Sequence, residues 1–120
     1  MSPVQKKLLI LDDDPEILDL LGRILGRKYL LLTRTTTDTF EEDLAEFQPH
    51  AVMIDHFIGD KTSKDLMSST LQDNNIPVIL HSAHEDIEKL SIETKVSAFI
   101  RKPSSITEIR DMIARVIGDN

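Results

Sequence analysis

The sequence contains no cysteine, no tryptophan and only one tyrosine in 120 residues. The lack of cysteine excludes a disulfide framework and any metal site built from thiolates. A platform for stacking single-stranded nucleic acid needs several aromatic side chains, so this kind of binding is not expected. No apolar run approaches the roughly 18 residues that a membrane span requires. These absences argue against a disulfide-rich protein, a membrane-spanning protein and a protein that binds single-stranded nucleic acid.

Positive charge is also scarce, because 14 Lys and Arg residues face 21 Asp and Glu, for a net charge of −7. A domain that binds nucleic acid normally carries a basic face, and an anionic membrane would repel this chain. The opening MSPVQKK shows no signal-peptide pattern. We therefore expect a cytoplasmic protein with one domain over residues 1–120, and no direct contact with nucleic acid or membrane.

Five apolar runs are each too short for a helix and predict strands that are buried on both faces, as in a parallel sheet. They are LLIL (8–11), YLLL (29–32), AVMI (51–54), PVIL (77–80) and AFI (98–100). Segments with helical periodicity alternate with them. Strict alternation predicts an α/β fold, in which a doubly wound parallel sheet carries helices on both faces.

Five helices are predicted. Asp14 and Pro15 suit the N-cap and first position of the first helix. Ser105 and Glu108 form a capping-box pattern before the last helix, and Gly118 follows its end. The apolar residues that mark the helices are Ile17, Leu20, Leu21, Ile24 and Leu25; Phe40, Leu44 and Phe47; Leu66, Met67, Thr70 and Leu71; Ile87 and Leu90; and Ile106, Ile109, Ile113, Val116 and Ile117.

Polar residues that could bind a ligand or take part in catalysis follow four of the five strands. Asp12 and Asp13 follow the first, Asp55 the third, Ser82 the fourth and Lys102 the fifth. The carboxyl ends of parallel strands lie at one edge of a sheet, where such folds bind ligands. We therefore expect these side chains to share one pocket.

Three carboxylates in one pocket need a cation, and oxygen ligands favour a hard one such as Mg²⁺. A metal ion, an ammonium and a hydroxyl can together stabilise the charge on a transferring phosphoryl group. A carboxylate can accept that group as a nucleophile. Asp55 stands alone at its strand end, which favours it as the acceptor, although spacing does not settle the choice.

Four stretches resemble the receiver domain of two-component response regulators: LILDDDPEI, VMID ending at Asp55, PVILHSA and FIRKP. They span nearly the whole chain, in the family's order and with nearly its spacing. The resemblance implies a flavodoxin-like fold with strand order 2-1-3-4-5. It also implies a phosphorylation-controlled signalling switch, which catalyses only its own phosphorylation and dephosphorylation.

The resemblance implies how the phosphoryl group is received. Asp55 takes it from a phosphohistidine on a sensor histidine kinase or a histidine phosphotransfer protein. Asp12 and Asp13 bind Mg²⁺, joined by a carboxylate oxygen of Asp55 and the backbone carbonyl of Phe57. Lys102 pairs with the bound phosphoryl group.

The resemblance also implies how the signal leaves the site. Ser82 hydrogen-bonds to the phosphoryl group, and the Ser82 loop and Phe99 shift with it. That shift changes the surface formed by the fourth helix, fifth strand and fifth helix, where partners or a second copy of the chain dock as a homodimer.

Several positions depart from the family's pattern. Gly59 replaces a common proline and Ser63 a common glycine, which predicts a loop after the phosphoacceptor that is differently shaped or looser. Ser104 replaces a common phenylalanine, and the fourth helix is expected to be short. By resemblance, Phe57 and His84 occupy positions that tune the lifetime of the phosphoryl group, and their bulk is expected to slow attack by water.

Other functions stay open at the level of sequence. A receiver-like binding module that has lost phosphorylation is one. A phosphohydrolase of the haloacid-dehalogenase kind is another, with Asp12 as nucleophile and Asp14 two residues later. A flavin carrier of similar topology is a weaker alternative, because this chain has DDDPE after the first strand where such proteins need a phosphate-binding loop. The four histidines match no standard metal-ligand spacing, so solvated or packing roles are expected for His50, His56, His81 and His84.

Overall fold

Five strands form one parallel sheet in the computed structural model, which describes residues 5–67, 71 and 75–118. Their order across the sheet is β2-β1-β3-β4-β5, which confirms the predicted fold class and the implied order 2-1-3-4-5. The strands are β1 (Lys7–Leu11), β2 (Leu30–Arg34), β3 (Ala51–Ile54), β4 (Val78–Ser82) and β5 (Ala98–Arg101).

Five helices occur in the described part of the chain. They are α1 (Pro15–Leu25), α2 (Phe40–Phe47), α3 (Ser63–Leu66), α4 (Ile87–Thr94) and α5 (Ile106–Ile117). The predicted caps form, because Asp14 accepts from the backbone N–H of Glu16 and Ser105 from that of Glu108. Thr70, one of the residues that marked the third helix, lies outside the described residues. Among the described residues, no helix has the length and apolarity needed to cross a bilayer.

Two apolar layers lie on opposite faces of the sheet. Leu8 and Ile10 of β1 pack in the layer that contains α1 and α5. Leu9 and Leu11 pack in the other layer, with apolar residues of α2, α3 and α4. Because both faces of the central strands are covered, their sequences are continuous apolar runs rather than alternating ones.

Strand β2 corrects one expectation. The run YLLL predicted a strand over residues 29–32 that is buried on both faces, but β2 covers Leu30–Arg34 at the edge of the sheet. Leu30 is 47% exposed, and the three residues after it are only partly buried. An apolar run indicates a strand, but it does not distinguish a central strand from an edge strand.

A short hairpin after β3 was not predicted. Residues Phe57–Ile58 pair antiparallel with Lys61–Thr62, and Gly59 begins the two-residue turn with φ of +62°. Such turns need positive φ, which proline cannot adopt because its ring fixes φ near −65°. The turn therefore explains why glycine occupies this position. The loop after Asp55 has a defined path, and its shape differs from that of a loop with proline here.

Candidate functional site

The ends of β1 and β3 lie side by side and carry the acidic residues. The backbone N–H of Asp12 donates to the carbonyl of Arg34, and that of Asp55 to the carbonyl of Leu11, both at 3.1 Å. Arg34 is anchored to α2 by two hydrogen bonds from its guanidinium to Asp43, at 3.0 and 3.1 Å. The pairing of the strands thus continues one residue further and fixes the backbone below both carboxylates.

Lys102 joins these two acids. Its Nζ lies 2.6 Å from Oδ2 of Asp12 and 3.0 Å from Oδ2 of Asp55. The Lys102 side chain is only 15% exposed, so these ion pairs are largely shielded from water. The expectation that the ends of the first, third and fifth strands meet in one pocket agrees with this geometry.

In the pocket, burial and the ion pairs shift the pKa of Asp12, and likewise that of Lys102, in opposite directions. Burial raises the pKa of Asp12, although the hydrogen bond from Lys102 acts in the other direction. Burial alone would lower the pKa of Lys102, but its hydrogen bonds to Asp12 and Asp55 outweigh this, and the pKa is raised. One ammonium therefore faces two acids in a place where leaving any of the three unpaired would be costly.

Asp12, Asp13 and Asp55 form a cluster that could hold a metal ion. Each offers a carboxylate oxygen, and these three oxygens lie within 4.8 Å of one another. Asp12 is buried, Asp55 partly buried and Asp13 exposed, so the cluster opens to solvent on one side. The donor set consists only of oxygen and carries more negative charge than Lys102 neutralises, which fits a hard divalent cation.

The two candidate nucleophiles differ in accessibility. Asp12 is 2% exposed, and its two oxygens accept hydrogen bonds from the backbone of Asp14 and from Lys102. The Asp55 side chain is 16% exposed, and its Oδ1 accepts a hydrogen bond of 2.6 Å from the backbone N–H of His56. Asp55 is therefore the easier of the two for an incoming group to reach.

Ser82 is the last residue of β4, rather than a residue that follows the strand, and it is buried. Because β4 is next to β3, Ser82 lies at the same sheet edge as Asp55. Its Oγ accepts a hydrogen bond of 3.2 Å from the backbone N–H of His84. The proton of the Ser82 hydroxyl thus remains available for an acceptor in the pocket.

The side chains of Phe57 and Phe99 lie outside the carboxylate pocket. Phe57 begins the hairpin and is 54% exposed. Phe99, on β5, is partly buried and lines a cavity of about 790 Å³ between α4, β5 and α5. Phe99 pairs with Leu80 of β4 in the sheet, two residues before Ser82.

Two buried polar residues beside the pocket were not among the predicted site residues. His56 follows Asp55 and is 6% exposed, and Ser63 is completely buried. Burial lowers the pKa of His56, as does the charge of His84. Both residues could be seen in the sequence, His56 next to Asp55 and Ser63 at a position where the resembling family commonly has glycine. What joins the two residues is the hairpin, which the sequence pattern did not predict.

The comparisons with known proteins agree with this geometry. No known protein-family model matches the chain. One curated relative, the transcriptional regulatory protein KdpE of Staphylococcus aureus, is 29% identical over 119 residues, and the match covers 95% of this chain and 50% of that protein. The chain thus spans about half the length of this relative.

Solved structures resemble the chain over nearly its full length. A CheY-like response regulator receiver domain from Methanospirillum hungatei matches 97% of this chain and 96% of its own, with a TM-score of 0.85 at 19% identity. The signal receiver domain of a LuxO repressor protein from Vibrio parahaemolyticus matches 96% and 92%, with a TM-score of 0.84 at 18% identity. At these identities the likeness establishes the fold. The resemblance to response regulator receiver domains is therefore confirmed, and the chain has their fold.

Proposed function

We propose that this chain is a response regulator receiver domain, a cytoplasmic signalling switch that accepts a phosphoryl group on Asp55. The donor is a phosphohistidine of a sensor histidine kinase or a histidine phosphotransfer protein. The observation that carries the proposal is the contact of Lys102 Nζ with both Asp12 and Asp55. This contact gathers acids of two strands and the amine of a third into one partly open pocket.

In the proposed step, a carboxylate oxygen of Asp55 attacks the phosphorus of the donor. An O–P bond forms while the P–N bond to the donor imidazole breaks, and the electron pair of that bond returns to the ring nitrogen. Lys102 can follow the charge from the carboxylate to the phosphoryl oxygens because its ammonium is a mobile point charge. The Ser82 hydroxyl can donate its proton to one of those oxygens.

The chain's own carboxylates fit Mg²⁺ as the cofactor of this step. Asp12, Asp13 and Asp55 supply oxygen ligands, and we propose the backbone carbonyl of Phe57 as a fourth. When bound there, Mg²⁺ would neutralise part of the negative charge on the phosphoryl group.

We propose that the surface through which the domain passes on its signal is formed by α4, β5 and α5. Ile92 of α4 is 73% exposed beside the cavity that Phe99 and Val96 line. An exposed apolar residue at the rim of an apolar cavity is typical of a surface that is covered in a complex. We propose that a second copy of the chain covers it after phosphorylation, with Ser82 and Phe99 as the residues that link the pocket to this surface. The acidic domain itself is not proposed to bind nucleic acid.

Phosphodonor treatment followed by intact mass measurement tests the assignment. With acetyl phosphate and Mg²⁺, the wild-type protein should gain the mass of one phosphoryl group, and omission of Mg²⁺ should prevent the gain. Asp55→Asn should gain nothing, whereas Asp60→Asn, which changes an exposed acid at the hairpin turn, should behave as the wild type does.

Mapping the phosphorylated residue in the treated protein separates the alternatives. A group found on Asp12 would indicate a haloacid-dehalogenase-type hydrolase. A wild-type protein that gains no group from any donor would indicate a receiver-like binding module. Full phosphorylation of Asp55→Asn would refute Asp55 as the acceptor.

A further inference from the structure

His56 and Ser63 form a buried polar pair directly beside Asp55. One hydrogen bond of 2.7 Å joins Nδ1 of His56 to Oγ of Ser63. A second, of 2.8 Å, runs from the backbone N–H of Ser63 to the backbone carbonyl of His56. Ser63 therefore holds His56 by both its ring and its main chain, in a place where neither residue has water to replace a lost partner.

The main chain of His56 in turn holds Asp55. The backbone N–H of His56 donates to Oδ1 of Asp55 at 2.6 Å, while Lys102 takes Oδ2. The two donors come from different directions, so together they set the rotation of the carboxylate about its Cβ–Cγ bond. A shift of the His56 peptide would rotate the carboxylate, since its other donor is the end of a flexible lysine.

The ring of His56 also contacts the loop that follows Ser82. The His56 and His84 rings meet edge to face with their centroids 5.1 Å apart. The backbone N–H of His84 donates to Oγ of Ser82. His56 thus touches the segments that carry the acceptor and the hydroxyl, which are the two loops that must act on the same phosphoryl group.

We propose that the Ser63–His56 pair is a positioning device that fixes the Asp55 carboxylate for attack on phosphorus. The inference rests on the proposed function. It gives the departure at Ser63 a role, because a glycine there would offer no hydroxyl to His56. A purely structural pair would be equally well served by two apolar side chains of similar size, whereas a positioning pair needs the hydrogen bond itself.

A double-mutant cycle separates positioning from stability. The variants are Ser63→Ala, His56→Leu and the double variant. For each we would measure the urea midpoint of unfolding and the rate constant of phosphoryl gain at saturating acetyl phosphate. Each single variant leaves one buried partner unpaired, so both stability and rate should fall, the rate by about 10-fold. The double variant removes both partners, so its stability should recover while its rate stays about 10-fold low.

Two further variants complete the test. His56→Asn, whose amide can still reach Ser63, should keep a rate within about threefold of wild type. Thr94→Val removes another buried hydroxyl, which donates to the carbonyl of Leu90 away from the site, and should keep the wild-type rate.

Three results would overturn the inference. They are a wild-type rate in Ser63→Ala, a rate in the double variant that recovers together with its stability, and a His56→Asn protein as slow as Ser63→Ala. A wild-type protein that gains no phosphoryl group refutes the proposed function instead, and this inference falls with it.

Discussion

Lys102 occupies a position that is unusual for a lysine, since its ammonium lies inside a pocket between two carboxylates. The sequence predicted that the residues of this pocket would lie together. Asp12, Asp55 and Lys102 follow strands, and the parallel arrangement brings strand ends together whatever the details of the helices. The Ser63–His56 hydrogen bond was not predictable in this way, because it depends on the local path of a hairpin with no periodic signal.

His81 provides a prediction at the scale of one residue. Burial lowers the pKa of His81 to about 4 from an ordinary value of 6.5, with the charge of Lys102 acting in the same direction. Between these two pH values the unfolded chain binds a proton that the folded protein excludes. Stability should therefore fall as the pH drops from about 6.5 to about 4, by about 3 kcal/mol in total from this group.

Urea unfolding over this pH range checks the prediction for His81. The variants His81→Leu and His81→Gln should both lose this part of the pH dependence, although their absolute stabilities will differ because only one keeps a polar side chain. The difference between wild type and variant isolates His81 from carboxylates that titrate near the lower end of the range. A difference that is constant with pH in both variants would contradict a neutral, buried His81.

At the scale of elements, the central strands and the capped helices followed from the sequence. The run at residues 51–54 matches β3 at both ends. Helix α5 begins after the Ser105 cap and ends before Gly118, as predicted. The sequence did not predict the edge position of β2 or the hairpin after β3. Whether an apolar strand lies at an edge depends on its neighbours in space, and two-residue strands are too short to give a pattern.

The hairpin turn gives a prediction at this scale. Gly59→Pro restores the residue that is common in the resembling family, yet it should destabilise this protein by about 2 kcal/mol, because φ at this position is +62°. Thermal or urea unfolding would measure the change. Gly22→Ala is the matched control, since the added Cβ would meet nothing within 4 Å beyond the neighbouring residues and backbone of α1 itself. This change should stabilise the protein by about 0.5–1 kcal/mol. A neutral Gly59→Pro would mean that the turn has another conformation in solution.

At the scale of the whole molecule, the proposed homodimer can be tested at Ile92. Beryllium fluoride with Mg²⁺ should mimic the phosphorylated state and shift the wild-type protein towards dimer in sedimentation velocity. Ile92→Asp should weaken this dimer by about 100-fold, because a charge would be placed at the rim of the apolar cavity in both copies.

Leu20→Asp serves as the control for the dimer. Leu20 is an apolar residue of α1 that is 49% exposed and lies outside the lining of that cavity. This variant should dimerise as the wild type does. Equal dimerisation of Ile92→Asp would exclude this face as the interface.

The contact between Lys102 and Asp12 joins residues that are 90 positions apart in the chain. During synthesis, Asp12 and Asp55 leave the ribosome well before Lys102, the residue that pairs with both of them. Until β5 has joined the sheet, the two acids lack their counterion and the end of β4 lacks its neighbour. The pocket is therefore complete only after β5 has joined the sheet, and a polypeptide that stops before β5 would carry both acids without the amine between them.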